Sequence, residues 1–248
     1  VPVSYGEVEI DTRKRLFIAA EGLPGKGKST FALTAPDPIV LFDIDGGLKG
    51  VIERAIAEGK KIVQPLNAKG DPERFRHYDG SNQDEWDALW NRLKECFLDA
   101  MEYKAAKSIV VDTETEMNEL HRLARLGRLS QVKPHHYGPV NAEMRSLISR
   151  CKESGKNIIF TRKLKPLYIE DKRTRELEAS GFGDIAFEAE VVVRMWKGGE
   201  SDPDEFGLTV NKCRVNTLVE RTQLVTPMST FQFLAATVFP DTSPEEWE

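Results

Sequence analysis

In "AAEGLPGKGKST", residues 19–30, Gly22, Gly27, Lys28 and Ser29 stand at the spacing G-x-x-x-x-G-K-[ST]. That spacing suits phosphate chemistry. The glycines let the backbone wrap so that successive N–H groups point at phosphate oxygens, and the start of a following helix adds positive field. In such a cradle Lys28 reaches the β- and γ-phosphates, the Ser29 hydroxyl sits on Mg²⁺, and Thr30 neighbours the α-phosphate. Leu23, Pro24, Gly25 and Lys26 complete the loop, with Lys26 on its rim. ATP with Mg²⁺ is the expected ligand, because the guanine-reading motif of classical GTPases is not evident.

A magnesium shell needs a carboxylate from another strand, and "SIVVDTETEM" supplies Asp112 at the end of an apolar run. The same residue is placed to cap a helix beginning near Thr115, in which Glu114 and Glu116 complement the helix dipole. Hydrolysis also needs a group that orients water. "PIVLFDIDGG" offers Asp43 and Asp45, which strand alternation puts on one side. Asp45, nearer the open end and beside Gly46 and Gly47, is better placed to meet a γ-phosphate, or else it starts the turn into the helix "LKGVIERAIAEG".

The elements that must hold these groups read as short apolar runs alternating with helix-period segments, the pattern of a parallel α/β sheet. Buried strands are predicted at 15–20, 38–45, 60–66, 107–113 and 156–161. In "SNQDEWDALWNRLKECFLDAMEY" Trp86, Leu89, Trp90, Leu93, Phe97 and Met101 share one helical face, with Ser81 and Asp84 as a capping box. A second helix, "VNAEMRSLISRCKES", ends at Gly155. Further strands are expected at 189–196, 206–215 and 222–227, as antiparallel additions to the sheet edge, before a short helix in "STFQFLAATVF". One domain over 1–240 and a solvated acidic tail over 241–248 complete the expected organisation.

"GLPGKGKST", "VLFDIDGG", "IVVDT", "YGPVNAEMRSLISRCKESGKNIIFT" and "LTVNKCRVN" occur in an order and spacing that resemble the RecA-like core ATPases. More specifically, they resemble the short, Sak-type RecA-core proteins that bacteriophages encode for recombination and single-strand annealing, over roughly residues 14–226. The resemblance implies a RecA-like P-loop NTPase fold, a mostly parallel twisted sheet flanked by helices. It makes Asp45 the water-activating acid, where the family usually has glutamate. It places Thr161 and Arg162 at a nucleotide-sensor position, and matches Lys212 and Arg214 to basic residues that reach the nucleotide of a neighbouring subunit. It also implies a homo-oligomer, ring or filament, on single-stranded DNA, with a single-strand-binding protein as a candidate partner.

Two segments combine cations with aromatic residues that could stack on bases. "TRKLKPLYIEDKRTRELEASGFGD" carries Arg162, Lys163, Lys165, Lys172, Arg173 and Arg175 with Tyr168, diluted by Glu170, Asp171, Glu176 and Glu178 so that a solvated hairpin is the competing reading. "RLGRLSQVKPHHYG" carries Arg128 and Lys133 with a His pair that lacks a third metal ligand.

A net charge of −5 over 248 residues gives no global nucleic-acid signature, so any such surface is local. Cys96, Cys151 and Cys213 lie far apart without metal-ligand spacing, which favours buried thiols in a reducing compartment. No stretch is apolar for the roughly 18 to 20 residues a bilayer span needs, so the expected location is the cytoplasm, a host's if the chain is phage-encoded. Three readings stay open on the residues: a DNA-dependent ATPase, a nucleotide-switched binding module with little hydrolysis, and a small-molecule or nucleotide kinase. The late Lys/Arg strand and the lack of a lid with paired arginines count against the kinase.

Overall fold

A computed structural model describes residues 14–128, 134–170, 172–198, 202 and 204–248. Lys133 and the side chain of His135 lie outside the described residues. The first half comprises β1 (Phe17–Gly22), α1 (Lys28–Ala32), β2 (Ile39–Asp43), α2 (Val51–Ala57), β3 (Ile62–Val63), α3 (Gln83–Glu102), β4 (Ser108–Asp112) and α4 (Glu114–Leu126). The second comprises α5 (Pro134–Glu153), β5 (Asn157–Ile169), β6 (Lys172–Ala179), α6 (Ile185–Glu188), β7 (Val191–Lys197), β8 (Phe206–Cys213), β9 (Gln223–Val225) and α7 (Phe231–Val238).

The sheet order is β3-β2-β4-β5-β1-β7-β8-β9. Neighbours from β3 to β7 are parallel, and β7, β8 and β9 are antiparallel. Alternation along β1 splits the core in two. Phe17 and Ala19 enter a cluster with Phe42, Trp90, Phe97 and Phe160 on the α3–α5 face. Ile18 and Ala20 enter one with Phe31, Leu41, Val193 and Phe231 on the α1–α7 face. Burial on both faces explains why these strands read as unbroken apolar runs rather than as alternating ones. The fold is thus the expected α/β arrangement of a RecA-like P-loop NTPase, with the antiparallel addition at its late edge. Because β1 lies between β5 and β7 while the chain after it crosses to β2, the carboxyl end of β1 is a topological switch point, where such sheets bind ligands.

Several local expectations shift. The predicted strand at 60–66 shortens to Ile62–Val63, an edge with only β2 to pair with. The cap of α3 is Asn82, whose side chain accepts the Glu85 N–H at 3.1 Å, one residue beyond the predicted Ser81–Asp84 box. Asp112 caps nothing, because Thr113 takes the N-cap of α4. Gly155, at φ +71°, follows α5 as expected, but α5 starts at Pro134 and so turns 134–138 of the second basic segment into helix. The acidic tail exposes Asp241, Glu245, Glu246 and Glu248 as expected, but Trp247 is 5% exposed in a 3₁₀ turn at Pro244–Trp247 and packs its ring on Phe231 and Phe239. An indole in an otherwise acidic stretch outweighs its neighbours, since burying it removes a large apolar area from water. All three cysteines are free and buried. Among the described residues no helix is long and apolar enough to cross a membrane.

Candidate nucleotide and metal site

The glycine-rich loop spans the gap between β1 and α1 at the sheet's carboxyl end. Gly27 sits at φ +84°, where a side chain is strained, and a Cβ there would lie 3.2 Å from the Phe206 ring. Lys28 folds back across the loop and donates to the Leu23 carbonyl at 3.0 Å. Burial pushes its pKa down, opposed first by Asp112. A buried ammonium whose contact across the loop is a neutral carbonyl gains strongly from an added phosphate. Lys26 stays on the rim, its ammonium 3.3 Å from the Lys197 carbonyl, and Thr30 is exposed on the first turn of α1.

Asp112 ends β4 two strands away and is 2% exposed. Its Oδ2 accepts from the Ser29 hydroxyl at 2.9 Å, and its Oδ1 accepts from the Thr161 hydroxyl at the matching level of β5. Thr161 therefore orients the candidate metal carboxylate, with its hydroxyl turned to Asp112. Asp43, Asp45 and Asp112 each bring a carboxylate oxygen within 4.8 Å of the others. Asp43 accepts the Leu48 N–H at 3.4 Å on Oδ2, while its buried Oδ1 has no hydrogen-bond partner. Burial, with Asp112 next, raises the Asp43 pKa to about 6. Three converging carboxylates and one orphaned oxygen are costly without a cation, and an all-oxygen donor set beside a hydroxyl fits Mg²⁺. Asp43 was legible as a neighbour of Asp45, but its inclusion in the metal cluster was not.

A family model described as an AAA domain matches residues 14–195, which include the phosphate loop, all three aspartates and the first six strands. The chain belongs to the AAA domain family. Among solved structures, the AAA chain is similar to the KaiC-like protein PH0186 from the hyperthermophilic archaeon Pyrococcus horikoshii OT3, at 16% identity and a TM-score of 0.46, over 85% of this chain and 84% of that one. No curated protein matches it.

In this AAA domain the remaining candidates separate sharply. Asp45 lies in the turn just past β2, with Oδ1 accepting the Gly47 N–H at 3.1 Å and Oδ2 3.5 Å from the Lys163 ammonium. Arg162, expected at a sensor position and on the basic loop, turns into the interior. It is 1% exposed and its guanidinium is held by Glu21 at 3.0 Å, Glu114 at 3.1 Å and the Phe182 carbonyl at 3.0 Å. Arg194 adds a second cation on Glu21 at 3.1 Å. Gly181, at φ +110°, leaves the space that Glu114 occupies. Burial pushes the Glu114 carboxyl up, and Arg162 opposes that shift. The network went unread in the sequence, although Glu21 gave a signal: a carboxylate inside an otherwise apolar strand requires a buried partner.

Lys212 is also reassigned. Because β8 runs antiparallel to β7, its late residues reach the amino end of the parallel strands, away from the phosphate loop. There the Lys212 ammonium donates to the Ala186, Phe187 and Ala189 carbonyls and closes the end of α6 within its own chain. Arg214 remains exposed beyond β8. The expected basic loop is an extension of β5 paired with β6. Lys163 matches Gly22 in register, so the hairpin leaves the sheet from the same end as the phosphate loop. Lys165, Lys172, Arg173 and Arg175 are exposed on it, with Tyr168 59% exposed near its tip. In the second basic segment, Arg125 turns inward to Glu143 and Asp87, and Arg128 lies over the Trp86 ring.

The cluster sets a pH dependence. A carboxyl raised to about 6 adds stability at low pH that is lost as pH rises through that value. A cation reverses the sign, since it requires the ionised form. Stabilisation by Mg²⁺, read as the rise in Tm, should be small at pH 5, grow across pH 6 and disappear in Asp43→Asn/Asp112→Asn.

Proposed function

We propose that this chain is a Mg²⁺-dependent ATPase that works on single-stranded DNA, in recombination or strand annealing of the phage Sak type, through an oligomeric assembly. The observation that carries the ATPase reading is the joint made by Lys28, Ser29, Asp112 and Thr161, a cation and a metal-ready carboxylate held against one phosphate-shaped loop. In-line attack of water on the γ-phosphorus forms the new P–O bond and breaks the bond to the β,γ-bridging oxygen, giving ADP and phosphate. Lys28 and the loop amides stabilise the charge that leaves with ADP. Asp45 orients the water and takes its proton, and Thr161 keeps Asp112 aligned. Ser29 and Asp112, with Asp43 beside them, would hold Mg²⁺, which when bound would supply charge neutralisation on the phosphates.

The DNA reading is supported by the β5–β6 hairpin, which presents four exposed cations and an exposed tyrosine from the nucleotide end of the sheet. Arg214 is the remaining candidate for a reach into a neighbouring subunit. One observation favours a second reading, nucleotide-switched binding with slow turnover: Asp45 is one methylene shorter than the glutamate usual in the RecA-like core ATPases that the sequence resembles, so its carboxylate reaches less far.

Phosphate release with and without single-stranded DNA, at two salt concentrations, tests both readings. Stimulation should weaken with salt and be lost in Lys172→Ala/Arg173→Ala/Arg175→Ala, while basal release stays within about twofold. Basal release without stimulation sinks the DNA reading, and nucleotide binding without release selects the switch. Tyr168→Ala should weaken DNA binding by about 1 to 3 kcal/mol if the ring stacks on a base, as read by fluorescence anisotropy.

A further inference from the structure

Lys163 was expected among the nucleic-acid contacts, yet its ammonium points back into the site. It lies 2.5 Å from Glu116 Oε1 and 3.5 Å from Asp45 Oδ2. It also belongs to the electrostatic surroundings of Lys28, opposing that ammonium where Asp45 supports it. Its backbone is fixed as firmly. The Lys163 N–H donates to Thr115 Oγ1 at 3.0 Å, and its carbonyl accepts from the Ser180 N–H at 2.8 Å, closing the root of the hairpin.

Asp45 has two oxygens and two restraints, Gly47 on Oδ1 and Lys163 on Oδ2. The first comes from the turn that carries Asp45. The second comes from another strand, and it alone links this carboxylate to the hairpin. The Glu116 contact is the shorter, so Lys163 is anchored by Glu116 and holds Asp45 from there. Asp45 already brings an oxygen within 4.8 Å of Asp43 and Asp112, and without Lys163 nothing from another strand restrains that carboxylate from closing on a cation between them, where it serves the cation rather than a water.

We infer that Lys163 is a positioning residue for the proposed hydrolysis: anchored on Glu116 at the hairpin root, it aims the Asp45 carboxylate at the attacking water and restrains it from closing on the cation that the three aspartates flank. The inference rests on the ATPase reading, and its test separates the two. Lys163→Met should lower kcat by about tenfold or more, with KM for ATP and the affinity for a fluorescent ATP analogue within about twofold of wild type. Lys163→Arg should restore most of kcat. Titration with Mn²⁺ alone, without nucleotide, should show severalfold tighter binding in Lys163→Met, and the gain should vanish in Lys163→Met/Asp45→Asn. An unchanged kcat, or a loss confined to KM, overturns the assignment. If wild type binds nucleotide but releases no phosphate, the ATPase reading fails and the Mn²⁺ titration decides alone: tightening that depends on Asp45 upholds the Lys163 restraint, and unchanged affinity rejects it.

Discussion

Arg162→Leu should lower the free energy of unfolding by about 3 to 5 kcal/mol, measured by urea denaturation. The substitution leaves Glu114 in the interior without a cation and Glu21 with Arg194 alone, at 0% and 4% exposure. Removing one member of a buried ionic group costs more than the group contributes as a whole, because the remaining charges keep their desolvation penalty. Replacing all three, as Arg162→Leu/Glu21→Leu/Glu114→Leu, should therefore recover a large part of the loss. Arg162→Leu within about 0.5 kcal/mol of wild type would show that the network tolerates an unpaired carboxylate, contrary to its burial.

The second large effect concerns Lys28. Lys28→Ala should reduce phosphate release by about 10²-fold or more, the scale expected when a preorganised cation is removed from a developing charge. Misfolding is separable from this loss. Burial already lowers the Lys28 pKa, so the unliganded variant should be at least as stable as wild type. Its Tm should fail to rise with Mg·ATP, whereas wild type at about 100 times Kd should gain about 2.7 kcal/mol. Unchanged turnover in Lys28→Ala would remove the loop from the chemistry altogether.

Much of this site was legible because its parts are local. The phosphate loop is a contiguous spacing, and Asp112 announces itself directly after the apolar run Ile109–Val111, so strand, carboxylate and following helix could be placed together. What sequence could not supply was the pairing of groups far apart in the chain. Arg162 reads as a surface cation in a basic stretch until β5 is laid beside β1, which brings Glu21 to the same level. Lys212 looks like one of two alternating cations until the antiparallel run of β8 carries it to the carbonyls ending α6. Trp247 sits among acids whose sign suggested solvent, and only the packing of α7 shows what its ring covers. In each case a charge or a ring was assigned by its neighbours in sequence, whereas its energy is set by its neighbours in space.

Among the described residues the hairpin from Leu164 to Ala179 pairs only with itself, while its root is pinned by Thr115 through Lys163 and Ser180. The ladder beyond the root contributes no strand to the main sheet. Substitutions along it are therefore insulated from the core, and whole hairpins could be exchanged between the two root residues without disturbing the phosphate loop. On the proposed function, such an arrangement would let the target of the chain diversify at a pace different from that of its engine.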